Sequence, residues 1–370
     1  MLTFEPLEAL RIALQHEAGL PLSDTSGPVV GASGVIDHRI SLVILRSKQA
    51  LDISEEAAST LERDVASHLL AASSLIRQTA LVSEVMHSAG IDHMVIKGAA
   101  LGALQGGVSS RGAGDIDLVV EPRDIARTAQ ALMELDYRPN YRVPRFDQTL
   151  SWRILSTIDR ETAFHSHQIG VDLHWRISPQ RHLFDSPRTL IARGQMVNVG
   201  GVQIPTVSPA DALSLACFHA YNDRFSQLRA LVDIHRLIPL AAQNELPDFS
   251  PQLGRLVAGV LELHAELFPG MLSDEIVRLR VQLPAPLPHV ATVWNRHGAD
   301  ATALRPAKTL GNIWQEFLAE HALDHPIEGP LRFIAKRLFH FPPSSTHFPH
   351  QPLYRSFFSK LVRIARGTAS

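Results

Sequence analysis

Sulfur chemistry is nearly absent from this chain of 370 residues, because Cys217 is its one cysteine. A single thiol excludes an internal disulfide and any multi-cysteine zinc site. It lies in an apolar helical pattern, where a buried, inert thiol is the expected state. Strong charge of one sign is missing too: 35 Lys and Arg stand against 37 Asp and Glu. That balance leaves no basic footprint of the kind nucleic-acid binding requires, so nucleic acid is not expected as a partner. No apolar run reaches the ~18 residues that would span a bilayer. The N-terminal stretch carries Glu5 and Glu8 and lacks a basic leader. It does not read as a signal peptide, and a cytoplasmic protein is expected.

What is present is concentrated between His93 and Val120. An apolar run, Met94-Val95-Ile96, ends in Lys97-Gly98, and a loop containing Gly106, Gly107, Gly112 and Gly114 follows. A second apolar run begins with Asp115 and Asp117. Side chains alternate along a strand, so both carboxylates project from one face. Two such charges ~4 Å apart repel by about 4 kcal/mol at an effective dielectric of 20. Their placement therefore suggests a bound cation, and carboxylate oxygens suit a hard one, Mg²⁺ or alternatively Mn²⁺.

Around this segment the sequence predicts helices and short strands. Ser54 to Ser88 contains no Pro or Gly, with Leu61, Val65, Leu69, Ala72 and Ile76 at helical steps. This reads as a long helix covering one face of the sheet. Further helices are predicted at Glu5–Glu17, from His38, after Gly98 and after Pro122. Thr162–His167 and Gly170–Ile177 read as two strands joined by a tight turn, with Asp172 and His174 on one face and Val171, Leu173 and Trp175 on the other. A third carboxylate on a neighbouring strand is what a two-metal site needs. Met196–Val199 and Val202–Ile204 read as a hairpin around Gly200-Gly201. Ser208-Pro209 carries an N-cap and N1 signature. From there the chain is expected to be mostly helical. The expected division is a helical region over 1–90, a catalytic domain over 91–206, a helical domain over 207–330 and a tail over 331–370.

Lys97-Gly98, Arg111, Gly114 to Val120, Val171 to Trp175, Ser208 to Leu213, His219-Ala220 and Leu231 to Ile234 occur in that order. In this set the chain resembles the uncharacterised-nucleotidyltransferase branch of the DNA-polymerase-β-like nucleotidyltransferase superfamily. The resemblance implies an α+β fold: a small mixed sheet flanked by helices, with N-terminal helices and a C-terminal α-helical domain. It implies that Asp115, Asp117 and Asp172 hold Mg²⁺, which neutralises charge at the α-phosphoryl group of an NTP, with ATP the expected one. Asp172 would also help deprotonate an acceptor hydroxyl. Lys97 and the backbone at Gly98 would contact phosphates with help from the following helical turn, and Arg111 would neutralise the β- and γ-phosphates. The family's usual Gly-Ser or Gly-Gly turn is Gly98-Ala99 here, so Ser109 or Ser110 would supply the missing hydroxyl.

The expected reaction moves an NMP to a hydroxyl or phosphate on a small molecule, peptide or protein and releases pyrophosphate. Kinase-like phosphoryl transfer and a catalytically silent nucleotide-binding scaffold are the alternatives. His174 is a candidate supporting or acceptor-site group. His219, Asp223, Asp233 and His235 could suggest a metal, but helical pairs and docking contacts explain them better, with His219 and Asp233 as candidates for the acceptor cleft. Leu331 to Ser370 holds seven Lys or Arg, no acid, and interleaved phenylalanines. An amphipathic helix packing on the protein is the favoured reading, with contact to an acidic partner, RNA or an anionic membrane as the other.

Overall fold

The computed structural model describes residues 5–21, 31–107, 114–139, 159–166 and 169–299. Arg111, Ser109, Ser110 and the tail from Leu331 lie outside these. The described chain forms two compact units. One contains the segments up to Ser74, the helix after Gly98 and the chain from Val207; the other contains Leu75–Gly98 and Gly114–Thr206.

The second unit is built on a five-stranded mixed sheet in the order β1-β2-β5-β4-β3. Its strands are β1 (His93–Val95), β2 (Asp115–Val120), β3 (Arg138–Pro139), β4 (Glu161–His165) and β5 (Gly170–His174). Among the described residues only β2 and β5 pair in parallel; the other pairings are antiparallel. The two later strands pair as the expected hairpin, with Phe164 facing Val171, while His167 and Gln168 of the expected turn lie outside the described residues. The alternation that puts acids on one face leaves Ile116, Leu118, Val120, Phe164, Val171 and Leu173 on the other, and all six are buried.

The α-helix Glu55–Ser88 is one unbroken element of 34 residues, as its lack of breakers predicts. Its residues from Leu75 belong to the sheet unit. Leu75, Val82 and Met86 are buried there, and Ser83 Oγ lies 2.8 Å from His93 Nε2 at the start of β1. His93 lies on the apolar side of its strand with Leu118 and Val120, so this helix covers the face opposite the carboxylates. Burial lowers the affinity of His93 for a proton, which suits a neutral ring bonded to Ser83 and to the Ile91 carbonyl. Pro122–Asp124 forms a turn of 3-10 helix before the α-helix Ile125–Glu134. The second hairpin, β6 (Gln195–Val199) and β7 (Val202–Thr206), is tied to β1 by Thr206 Oγ1 donating to the Val95 carbonyl at 2.6 Å.

The other unit is helical. The helical region expected to begin at His38 is present as Ser41–Arg46 with a 3-10 turn at Lys48–Ala50, and a further short helix, Ala32–Asp37, precedes it. Ser208 caps Pro209–Asn222 by accepting from the Asp211 amide, and Arg229–Ala241 packs against that helix. Cys217 is fully buried, and burial pushes its thiol well above the ordinary range, so it is inert. Pro251–Leu267 is apolar on nearly every side, and its buried Leu256, Val257, Val260 and Leu261 make it the centre of the unit. No helix among the described residues is long and apolar enough to cross a membrane.

Two histidines in this unit predict an acid-sensitive fold. His235 Nδ1 lies 3.0 Å from His264 Nε2, the rings stack at 5.2 Å, and Phe268 packs on both. Burial first, and then nearby positive charge, lowers His235 to about 4 and His264 to about 3. Unfolded histidine takes up its proton near 6.5, so the contribution of neutral rings is complete above that pH and is lost as pH falls towards 4. One fully shifted group changes stability by ~1.4 kcal/mol per pH unit in this window. Replacing His264 by Leu is expected to reduce the loss of stability between pH 6.5 and 4.5 by roughly 2 kcal/mol in denaturant titrations. An unchanged pH slope would show that the pair does not titrate as a buried unit.

Candidate metal and nucleotide site

The parallel register of β2 and β5 builds the site. It sets Asp115 against Gly170, Asp117 against Asp172 and Val119 against His174. Asp117 and Asp172 therefore stand side by side on adjacent strands and on one face. The β4–β5 register adds Glu161 opposite His174. Thus Asp115, Asp117, Asp172, His174 and Glu161 share a face, and the apolar residues of the same strands hold it by packing behind it.

A row of alternating charge crosses this face. Arg160 Nε is 2.9 Å from Glu161 Oε2. The same Glu161 oxygen is 3.0 Å from His174 Nδ1, a close ion pair set too far off line for a good hydrogen bond. His174 Nε2 is 3.1 Å from Asp117 Oδ1, and Lys97 Nζ is 3.3 Å from that same oxygen. Burial alone would neutralise the His174 ring. Its contacts with Asp117 and Glu161 outweigh that and raise its pKa to about 9, so it is an imidazolium at neutral pH. Burial also works against the Glu161 carboxylate, yet His174, Arg160 and Lys97 bring it down to about 2.

Asp172 behaves in the opposite way. Burial pushes its carboxyl up to about 6; His174 pulls it down, while Asp117, Glu161 and Asp115 push it further up. The face therefore holds more negative charge than its own cations neutralise around Asp172. Asp117, Asp172 and His174 each offer a ligand atom, all within 4.8 Å of one another, and they form the one such group among the described residues. His174 has both ring nitrogens turned to carboxylates, which leaves the two aspartates as the better donors. Carboxylate oxygens around uncompensated negative charge fit a hard divalent cation.

The other expected residues fall in different places. Asp115 is exposed, on the same face as Asp117 and one strand repeat away from it. Gly98 has φ of 55°, a left-handed conformation that a Cβ would strain, so glycine after Lys97 is a backbone requirement. Trp175 is core, 2% exposed, and its indole N–H donates to the Asp159 carbonyl. His219 and Asp233 belong to the helical unit. There Asp233 is buried and accepts from Gln105 Nε2 at 3.4 Å. The residue that sequence reasoning missed is Glu161. The strand was expected to start one residue later, at Thr162. Extending the predicted hairpin by one pair would have set Glu161 beside His174.

A family model described as uncharacterised nucleotidyltransferase matches residues 35–268, a span that contains every residue of this face. A solved structure, that of an antigenic nucleotidyltransferase-like protein from Paracoccidioides brasiliensis, is similar over 56% of this chain and 93% of that one. Its sequence identity is 20% and its TM-score 0.38. No curated protein matches the chain. With the family model covering well over half its length, this chain belongs to the uncharacterised nucleotidyltransferases.

Proposed function

We propose that this protein is a divalent-metal-dependent nucleotidyltransferase that moves an NMP from an NTP, with ATP the expected one, to a hydroxyl or phosphate acceptor. The observation that carries the reading is the pairing of Asp117 with Asp172 in register on adjacent parallel strands, with Asp115 on the same face. Asp115, Asp117 and Asp172 would hold Mg²⁺ or Mn²⁺, which supplies charge neutralisation at the phosphates and orients the reacting oxygens. Asp172, whose carboxyl is held near 6, is suited to take the proton of an acceptor hydroxyl. Lys97, already directed at Asp117, would share its charge between that carboxylate and a phosphate oxygen. The left-handed turn at Gly98 would let backbone approach the phosphates closely. Arg111, Ser109 and Ser110 keep their expected phosphate roles in this reading.

The test uses NTPs labelled in turn at the α- and γ-phosphate, with Mg²⁺ and a cell extract as the acceptor source. Label retained from the α-position with pyrophosphate released supports nucleotidyl transfer. Transfer of γ-label alone identifies a kinase-like reaction instead. Failure to bind any Mg²⁺·NTP in calorimetry leaves only a scaffold role and overturns the proposal.

A further inference from the structure

The row of charges on the sheet meets the metal pair at Asp117, and its other members, Arg160, Glu161, His174 and Lys97, lie outside the proposed metal ligands. Asp117 Oδ1 receives both His174 Nε2 and Lys97 Nζ. Two cations on one oxygen fix the rotation of that carboxylate, and with it the direction in which its second oxygen points. Lys97 is a flexible chain with a quarter of its surface exposed, so it defines that direction weakly. His174 is rigid and almost wholly buried. Its ring can hold only one orientation if both nitrogens have fixed partners, and the partner of Nδ1 is Glu161. Glu161 is held in turn by Arg160.

We infer that Glu161 is a positioning residue for metal binding, acting through His174 to set the orientation of the Asp117 carboxylate. A ligand-orienting partner of this kind typically changes metal affinity by roughly 10–100-fold when it is removed. Glu161 does not belong to the group whose ligand atoms lie within 4.8 Å of one another, and its contact is to His174, so its effect passes through geometry and charge and not through coordination. The inference rests on the reading of Asp117 and Asp172 as metal ligands.

The experiment measures Mn²⁺ binding to the full chain, from the loss of the free-ion electron paramagnetic resonance signal, with no nucleotide present. Folding of each variant is checked by circular dichroism. Glu161→Gln is expected to weaken Mn²⁺ binding roughly 10–100-fold. His174→Asn is expected to weaken it similarly, and the double variant to be no weaker than His174→Asn alone, because the two residues act in series. Additive losses would overturn the relay. So would wild-type Mn²⁺ affinity in Glu161→Gln when Asp117→Asn has lost binding, and in that case the metal pair itself would stand. Wild-type protein that binds no Mn²⁺, or Asp117→Asn that binds it normally, would remove the metal reading and the relay with it. A Glu161 variant that cannot fold would assign the residue to stability and overturn the inference.

Discussion

Asp117→Asn and Asp172→Asn are each expected to lower metal-dependent transfer by on the order of 10³-fold, while moving the stability of the fold in opposite directions. The loss of transfer follows from removing one of two facing carboxylates, and combining the substitutions should add little because the pair acts as a unit. Stability separates them. Asp117 accepts from an imidazolium and an ammonium, so an amide in its place strands two cations, one of them deeply buried. Breaking a buried ion pair in this way costs roughly 3 kcal/mol. Asp172 is the crowded partner, and its carboxyl is raised to about 6. Raised in the fold, it makes the native state least favourable when ionised. Its cost is absent below the unfolded value near 4, grows as pH rises and is complete above 6. At pH 8 the neutral asparagine should therefore stabilise the metal-free protein by about 1–2 kcal/mol, allowing for solvent screening at a partly exposed group. Denaturant titrations at pH 8 with a chelator, beside the transfer assay, check both halves. Equal destabilisation by the two variants would mean that the charge balance of the face has been misassigned.

Phe164→Ala is expected to cost 3–5 kcal/mol, the range for removing a fully buried ring. Phe164 is 0% exposed and sits on the reverse of the strand that carries Glu161, opposite Val171 on the strand that carries Asp172. The cavity would open directly behind the functional face. Metal binding should weaken only in proportion to the unfolded fraction if the antiparallel register survives. Unfolding monitored by Trp fluorescence measures the first quantity, and the Mn²⁺ signal the second. A cost below about 1 kcal/mol would show that the sheet does not depend on this ring, against the usual behaviour of such sites.

The parts legible in the sequence share a short range. The Asp115/Asp117 alternation, the strand around Asp172, the Gly200-Gly201 hairpin and the Ser208-Pro209 cap are each decided by neighbours within a few residues, and each lies where expected. The resemblance to nucleotidyltransferases joined them in the right order, and the α+β fold follows. What local pattern could not supply was register. Nothing near Asp117 says that its oxygen meets both Lys97 and His174, because His174 arrives 57 residues later through a parallel pairing. Glu161 was hidden for the same reason: one glutamate at a strand's edge looks solvated until the strand beside it is known. The helix Ala32–Asp37 was missed because Gly31 and Gly34 mark the stretch as loop, and the breaks at Arg39 and Ser47 carry no Pro or Gly to announce them.

The parallel pairing of β2 with β5 also bears on how the protein folds. The β4–β5 hairpin joins strands that are close in sequence and can assemble Glu161, Asp172 and His174 by itself. The aspartate that completes the pair comes from β2, and parallel neighbours can meet only after a long crossover has closed. Non-local pairings of this type form late, because loop entropy is lost before their contacts compensate it. During refolding, tight Mn²⁺ binding should thus lag behind hairpin formation and coincide with the last step that fixes topology. The ion would then act as a reporter of finished folding, recognising the chain only once its two distant halves have met in the correct register.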